Sequence, residues 1–116
     1  MWRLVVLPQV EDNLVEASLW HDKKQIGLGD QFLAEYVTAI YRILENPSLF
    51  SIAGNGLRPC VIKRFSYFIH FVIEDDQIIV IAALRRQRAA NLLPAEGDLN
   101  DSKRAINYAL LLRRVR

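Results

Sequence analysis

The sequence predicts an α+β domain in which a helical hairpin packs on a mainly antiparallel sheet. Three observations predict it. A short apolar run opens the chain and leads into two consecutive stretches of helical periodicity. Three strand-like segments then follow close together. The last two of those are apolar on both faces, which calls for helical cover.

Trp2 to Leu7 is rich in valine and leucine and stops at Pro8, the pattern of a strand. From Gln9 the period changes. Val10, Leu14, Ala17 and Ser18 share one helical face, with Glu11 and Asp12 in the first turn, where acids suit a helix start. A helix is expected from about Gln9 to Lys24. In Gly27-Leu28-Gly29-Asp30, two glycines end that helix and Asp30 can cap the next. This is no phosphate loop, because it lacks the lysine and the glycine spacing and follows a helix. The second helix is expected from about Gln31 to Glu45, with Phe32, Tyr36, Ala39, Ile40 and Ile43 as its buried stripe and Asn46-Pro47 as its stop. So short a link makes the two helices an antiparallel hairpin.

Residues 46–57, with Pro47, Gly54, Asn55 and Gly56, read as loop. The strand candidates are Arg58 to Phe65, Tyr67 to Glu74 and Gln77 to Leu84, and Asp75-Asp76 makes a tight turn between the last two. Tyr67, Ile69, Phe71 and Ile73 point one way, Phe68, His70 and Val72 the other. A sheet covered on one side shows a polar outer face; this one asks for cover on both. Farther on, Pro94 and Gly97 mark irregular chain, and Asn100, Asp101 and Ser102 can cap a helix over Lys103–Arg114. That helix is too apolar to stay free in water. It is expected either to lie on the second sheet face or to join two chains into a homodimer.

With 116 residues, the chain fits one domain, 1–116, with a core over 2–88 and an extension over 89–116. Cys60 is the single cysteine, which excludes an internal disulfide and a zinc site built on thiolates and suits a reducing cytoplasm. Neither histidine has a second ligand at metal spacing, so no metal and no cofactor is expected. After Met1-Trp2-Arg3 only four apolar residues precede Pro8, too few for a signal-peptide core of roughly 7–15. No run approaches the roughly 18 apolar residues that read as a membrane span. Net charge is +2, unevenly placed: residues 1–84 hold seven Lys/Arg against ten Asp/Glu, and residues 85–116 hold eight against three. The basic end suits nucleic acid, an acidic protein or simply a solvated tail.

The elements in this order resemble the RelE/ParE toxin superfamily, and four stretches carry the likeness to its ParE side. Gly27-Leu28-Gly29-Asp30-Gln31-Phe32-Leu33-Ala34-Glu35 is similar to the family's G-L-G-D-x-F-L-x-E, and Ile43-Leu44-Glu45-Asn46-Pro47 to its I-x-x-x-P. Arg58 to Phe71 is similar to R-x-x-x-x-x-R-F-P-Y-x-I-x-Y. Asp75 to Leu84 runs into an arginine cluster. Ser66 stands where the family has proline, and Arg85-Arg86-Gln87-Arg88 where it often has His-Gly-Arg-Arg, so that only Arg88 matches the final arginine.

The resemblance implies the toxin of a type II toxin–antitoxin system, a plasmid-stabilisation protein that arrests growth by binding DNA gyrase and is neutralised by a cognate antitoxin. Arg64, Arg85, Arg86 and Arg88 would then form the target-binding surface, and Phe68, His70 and Val72 the face that the antitoxin covers. The alternative is a RelE-like endonuclease that cuts messenger RNA on the ribosome. Its chemistry needs groups to activate the 2′-hydroxyl, stabilise phosphorane charge and protonate the leaving oxygen; Lys63, Arg64, Arg85 and Arg88 are the candidates. Tyr108, the tyrosine after the last strand, matches no catalytic position. His70 reads more readily as a packed residue than as a catalyst, His21 as solvated, Cys60 as a small apolar group, and Trp2 and Trp20 as packing residues. Arg64 fits an ion pair at the sheet edge as well as a target contact.

Overall fold

The structure is a computed structural model that describes residues 1–54 and 56–86. In that span the chain forms β1 (Arg3–Val6), α1 (Pro8–Lys24), α2 (Leu28–Glu45), a 3₁₀ turn (Pro47–Leu49), β2 (Arg58–Ile62), β3 (Tyr67–Glu74) and β4 (Gln77–Arg85). The expected helix over Lys103–Arg114, its homodimer, Tyr108 and Arg88 lie outside the described residues.

The four strands form one sheet in the order β1-β4-β3-β2. β2, β3 and β4 pair antiparallel, and β1 pairs parallel to β4. The helical hairpin carries the chain away from β1, so its first strand returns to the sheet beside the last one. β3 and β4 are the inner strands and supply most of the core, with Ile69, Phe71, Ile78, Ile79, Val80 and Ile81 fully buried. From the helices, Val10, Ala17, Phe32, Ala39 and Ile43 meet them.

A bulge interrupts the central pair. His70 faces Ala82 but Phe71 faces Val80, so the register skips Ile81. A bulge leaves backbone groups without ladder partners, and burial makes that costly. Two polar side chains of α1 compensate. Gln9 Nε2 donates to the Ile81 carbonyl at 2.9 Å, and Asn13 Oδ1 accepts from the Ala83 N–H at 3.1 Å. The first helix is thereby tied to the irregular part of β4.

The helix boundaries differ from the expected ones at one joint. α2 begins at Leu28, three residues before the expected start, and Asp30 lies inside its first turn rather than capping it. Gly27 is the N-cap, at φ +88°, a left-handed conformation that glycine adopts without strain. The free N–H of Gly29 is satisfied from the neighbouring helix, donating to Asp22 Oδ1 at 2.8 Å. Gly29 also permits the close approach of the two helices. A Cβ there would stand 2.5 Å from the Ser18 carbonyl oxygen and 2.7 Å from its hydroxyl. Gly29→Ala should therefore destabilise the protein by about 1–3 kcal/mol through overpacking. The urea midpoint checks this: an unchanged midpoint would mean that the hairpin opens freely at this contact.

The second strand is shorter than expected. It ends at Ile62, and residues 63–66 form a turn. The apolar pattern continues to Phe65, but Arg64 takes φ +74° and breaks the extended run. At the other end Arg58 Nη1 donates to the Phe50 carbonyl at 2.5 Å, which fastens the loop before β2.

Candidate functional site

Three segments meet at one end of the sheet: the end of α1, the turn between β2 and β3, and the end of β4. The pairing register brings them together. Tyr67, the first residue of β3, faces Arg85, the last of β4. The Arg86 N–H then donates to the Ser66 carbonyl at 3.1 Å, which closes the turn onto the strand end.

The floor of this region is aromatic. His21 stacks on Phe32 at 5.1 Å between ring centroids and meets Phe65 edge-on at 4.9 Å. Phe32 in turn contacts Phe65 at 5.2 Å and Tyr67 at 4.8 Å. His21 is only 6% exposed, which corrects the expectation of a solvated residue. It follows Ala17 by one helical turn, and its Nδ1 donates to the Ala17 carbonyl at 2.7 Å. A carbonyl can only accept, so Nδ1 carries the proton of this bond.

Above the floor sit cations. Trp20, expected as a packing residue, meets His21 edge-on and is 40% exposed. Lys24 Nζ lies 4.5 Å and the Arg85 guanidinium 5.0 Å from the Trp20 ring centroid, both in cation–π range. Arg64 donates through Nη2 to Gln31 Oε1 on α2 at 2.8 Å, and its guanidinium lies 5.6 Å from the Phe65 ring. It is thus a positioned turn residue, not one half of an ion pair at the sheet edge. A non-glycine residue in left-handed conformation costs about 1 kcal/mol or more, and such strain gathers at functional sites.

These groups line a cleft with two lobes that share Trp20, Tyr67 and Arg85. The larger lobe holds about 380 Å³ and includes His21, Arg64 and Phe65. The smaller holds about 190 Å³ and reaches Asn13 and Glu16. Among the described residues no carboxylate lines the larger lobe.

Of the residues expected to bind the target, Arg64 and Arg85 come together in this cleft, and Arg86 is exposed beside them. Lys63 is exposed in the same turn. Phe68, His70 and Val72 lie on the opposite face of β3, away from Tyr67 and the helices. These are the residues expected to meet an antitoxin segment. His70 stands between Pro59 and Ala82 in the sheet and Val72 opposite Ile79; His70 and Val72 are buried, and Phe68 is half-buried. Burial also pushes the Cys60 thiol pKa up, with Arg42 opposing, which fits a packing role. Among the described residues no cluster of three or more His, Cys, Asp or Glu could hold a metal ion, and no helix is long and apolar enough to cross a membrane. Sequence reading missed Trp20, His21 and Lys24; the spacings Ala17–His21 and Trp20–Lys24, each one helical turn, are the only signal of them.

No family model matches the sequence, and no curated protein matches it. Solved structures do. A chain of the chromosomal ParDE TA (toxin–antitoxin) system from P. aeruginosa superimposes with a TM-score of 0.65 at 11% identity, over 73% of this chain and 96% of that one. At so low an identity the likeness is one of fold, carried by the strand, the helical hairpin and the three antiparallel strands. The chain has a ParE-like fold, with two helices packed on a four-stranded mixed sheet.

Proposed function

We propose that this protein is the toxin of a type II toxin–antitoxin pair, of ParE type, which acts in the cytoplasm by binding DNA gyrase and is neutralised by a cognate antitoxin. The observation that carries the reading is the cleft, where Arg64 from the turn after β2 and Arg85 from the end of β4 come to one rim beside an exposed tryptophan. Fold alone does not fix function; a positioned cationic site on this fold gives the target a place to dock.

A second reading is kept because His21 shares the larger lobe with Arg64 and Arg85. An imidazole beside two guanidiniums is what cleavage of an RNA backbone would use, with His21 taking the 2′-hydroxyl proton and the arginines stabilising the phosphorane. Induction of the chain alone in bacteria separates the two. Early DNA-damage signalling with continued translation supports the gyrase reading. Early arrest of translation with cut messenger RNA supports the nuclease and ends the gyrase reading.

Charge reversal at the rim tests the site itself. Arg85→Glu should weaken growth arrest at least tenfold, measured as the inducer level needed for arrest, since a lost charge-assisted contact is worth about 1.5–3 kcal/mol. Exposed substitutions of this kind change stability by only about 0.5 kcal/mol. Arg64→Asn is the control for backbone effects, because asparagine tolerates the left-handed conformation. Full toxicity in both variants would move the target-binding surface elsewhere.

A further inference from the structure

Resting on the reading of this chain as a protein-binding toxin, we infer that the cleft receives an acidic segment of a partner protein. A carboxylate is held between Arg64 and Arg85, and an adjoining apolar side chain lies against Trp20. Four observations lead there.

The first is the sign of the charge. Arg64 and Arg85 line the larger lobe with no carboxylate among its described walls, Lys24 engages the same indole as Arg85, and Lys63 and Arg86 are exposed next to it. Guanidinium forks match carboxylates with two parallel hydrogen bonds. Arg64 spends one donor on Gln31 and has others to offer.

The second is size. A lobe of about 380 Å³ accommodates a few side chains of a peptide. It is a local hollow, unlike a groove that follows a phosphate backbone.

The third is the state of the aromatic rings. Proteins that hold single-stranded nucleic acid offer aromatic faces for bases to stack on. Here Trp20 already carries Lys24 and Arg85, Phe65 carries Arg64, and His21 is stacked on Phe32. The exposed part of Trp20 remains as an apolar wall.

The fourth is the field of the whole molecule. Residues 1–86 hold nine Lys/Arg against ten Asp/Glu, and the full chain carries only +2. A protein that binds nucleic acid through its phosphates is typically far more basic. Among the described residues Arg64 and Arg85 supply the positive charge of this cleft, which suits a partner with one or two carboxylates.

The test uses the full chain with Trp2→Phe, which leaves Trp20 as the single indole and its emission as the reporter. Three probes are titrated: an acetylated Glu-Leu-Glu-Leu-Glu peptide, its Gln-Leu-Gln-Leu-Gln counterpart, and a uridine oligonucleotide of equal charge. The expected result is a saturable change with the acidic peptide, weakened at least tenfold by Arg85→Gln and by Arg64→Asn, and absent with the glutamine peptide. Equal binding of the glutamine peptide, tighter binding of the oligonucleotide, or no saturation with any probe overturns the inference. Growth arrest is measured on the same chains. Arrest without peptide binding overturns this inference alone. Peptide binding by a chain that arrests nothing overturns the toxin reading and leaves the chemistry of the cleft standing.

Discussion

Phe32→Ala should destabilise the protein by about 3–5 kcal/mol, the range for removing a fully buried aromatic ring. Phe32 has no exposed surface. Its ring touches His21 of α1, Phe65 of the turn after β2 and Tyr67 of β3. One side chain thus joins both helices to the sheet and forms the floor of the cleft. Truncation leaves a cavity that none of these neighbours can fill, since each is held by other contacts. His21 is bonded to the Ala17 carbonyl, and Tyr67 is fixed by pairing with Ile62 and Arg85. A domain of this size has a total stability of about 5–15 kcal/mol, so the variant would be partly unfolded at growth temperature. Urea unfolding at unchanged slope measures the loss. Phe32→Leu keeps most of the volume and should cost about 1 kcal/mol or somewhat more. A loss below about 1 kcal/mol for the alanine variant would mean that the aromatic cluster is not a packed unit.

How much of this was legible depends on the range of the interactions involved. The hairpin of β3 and β4 was readable nearly to the residue, because strict apolar segments and the Asp75-Asp76 turn are local signals. The turn shows its nature in Asp75, which takes φ +56° as a tight hairpin requires. The start of α2 was misplaced because Gly29 looks like a helix breaker in sequence. Its role is tertiary: it lets α1 come close, and Asp22 then supplies the cap that Asp30 was expected to give. Similarly, Gln9 and Asn13 read as ordinary polar positions of a helix. Their value comes from a bulge that lies far along the chain and that no local pattern announces.

The site divides in the same way. Arg64 and Arg85 were visible as charges at the ends of strand patterns, and strand pairing alone brings those ends together. Trp20, His21 and Lys24 were not, since they join the cleft only when the end of α1 is laid across β4. A tryptophan and a histidine in a helix of ordinary periodicity carry no mark of which will be buried. The structure reverses the expectation for His21, which is inside, and leaves Trp20 packed on it at the surface.

Acidification should expose a second large effect, through His70. This histidine is 6% exposed, on the sheet face away from the helices, with its Nε2 lacking any hydrogen-bond partner. Its flanking residues in the sheet are Pro59 and Ala82, and the nearest ring contact is Phe68 at 6.3 Å; none of them carries charge. Burial therefore acts alone and pushes the imidazole pKa down to about 4. In the unfolded chain the value is about 6.5. Above pH 6.5 both states are neutral at this residue and stability is undiminished. As pH falls from 6.5 towards 4, the unfolded chain takes up the proton first and stability drops; below 4 both states are charged and the loss levels off. The shift corresponds to about 3 kcal/mol. His70→Leu removes the titration and the orphaned nitrogen together, so its urea midpoint should fall far less between pH 7 and about 4.5 than that of the parent protein. The difference between the two curves isolates His70 from the carboxylates, which titrate in both. Parallel curves would mean that His70 is solvated in the folded state, and the outer face of β3 would then be open after all.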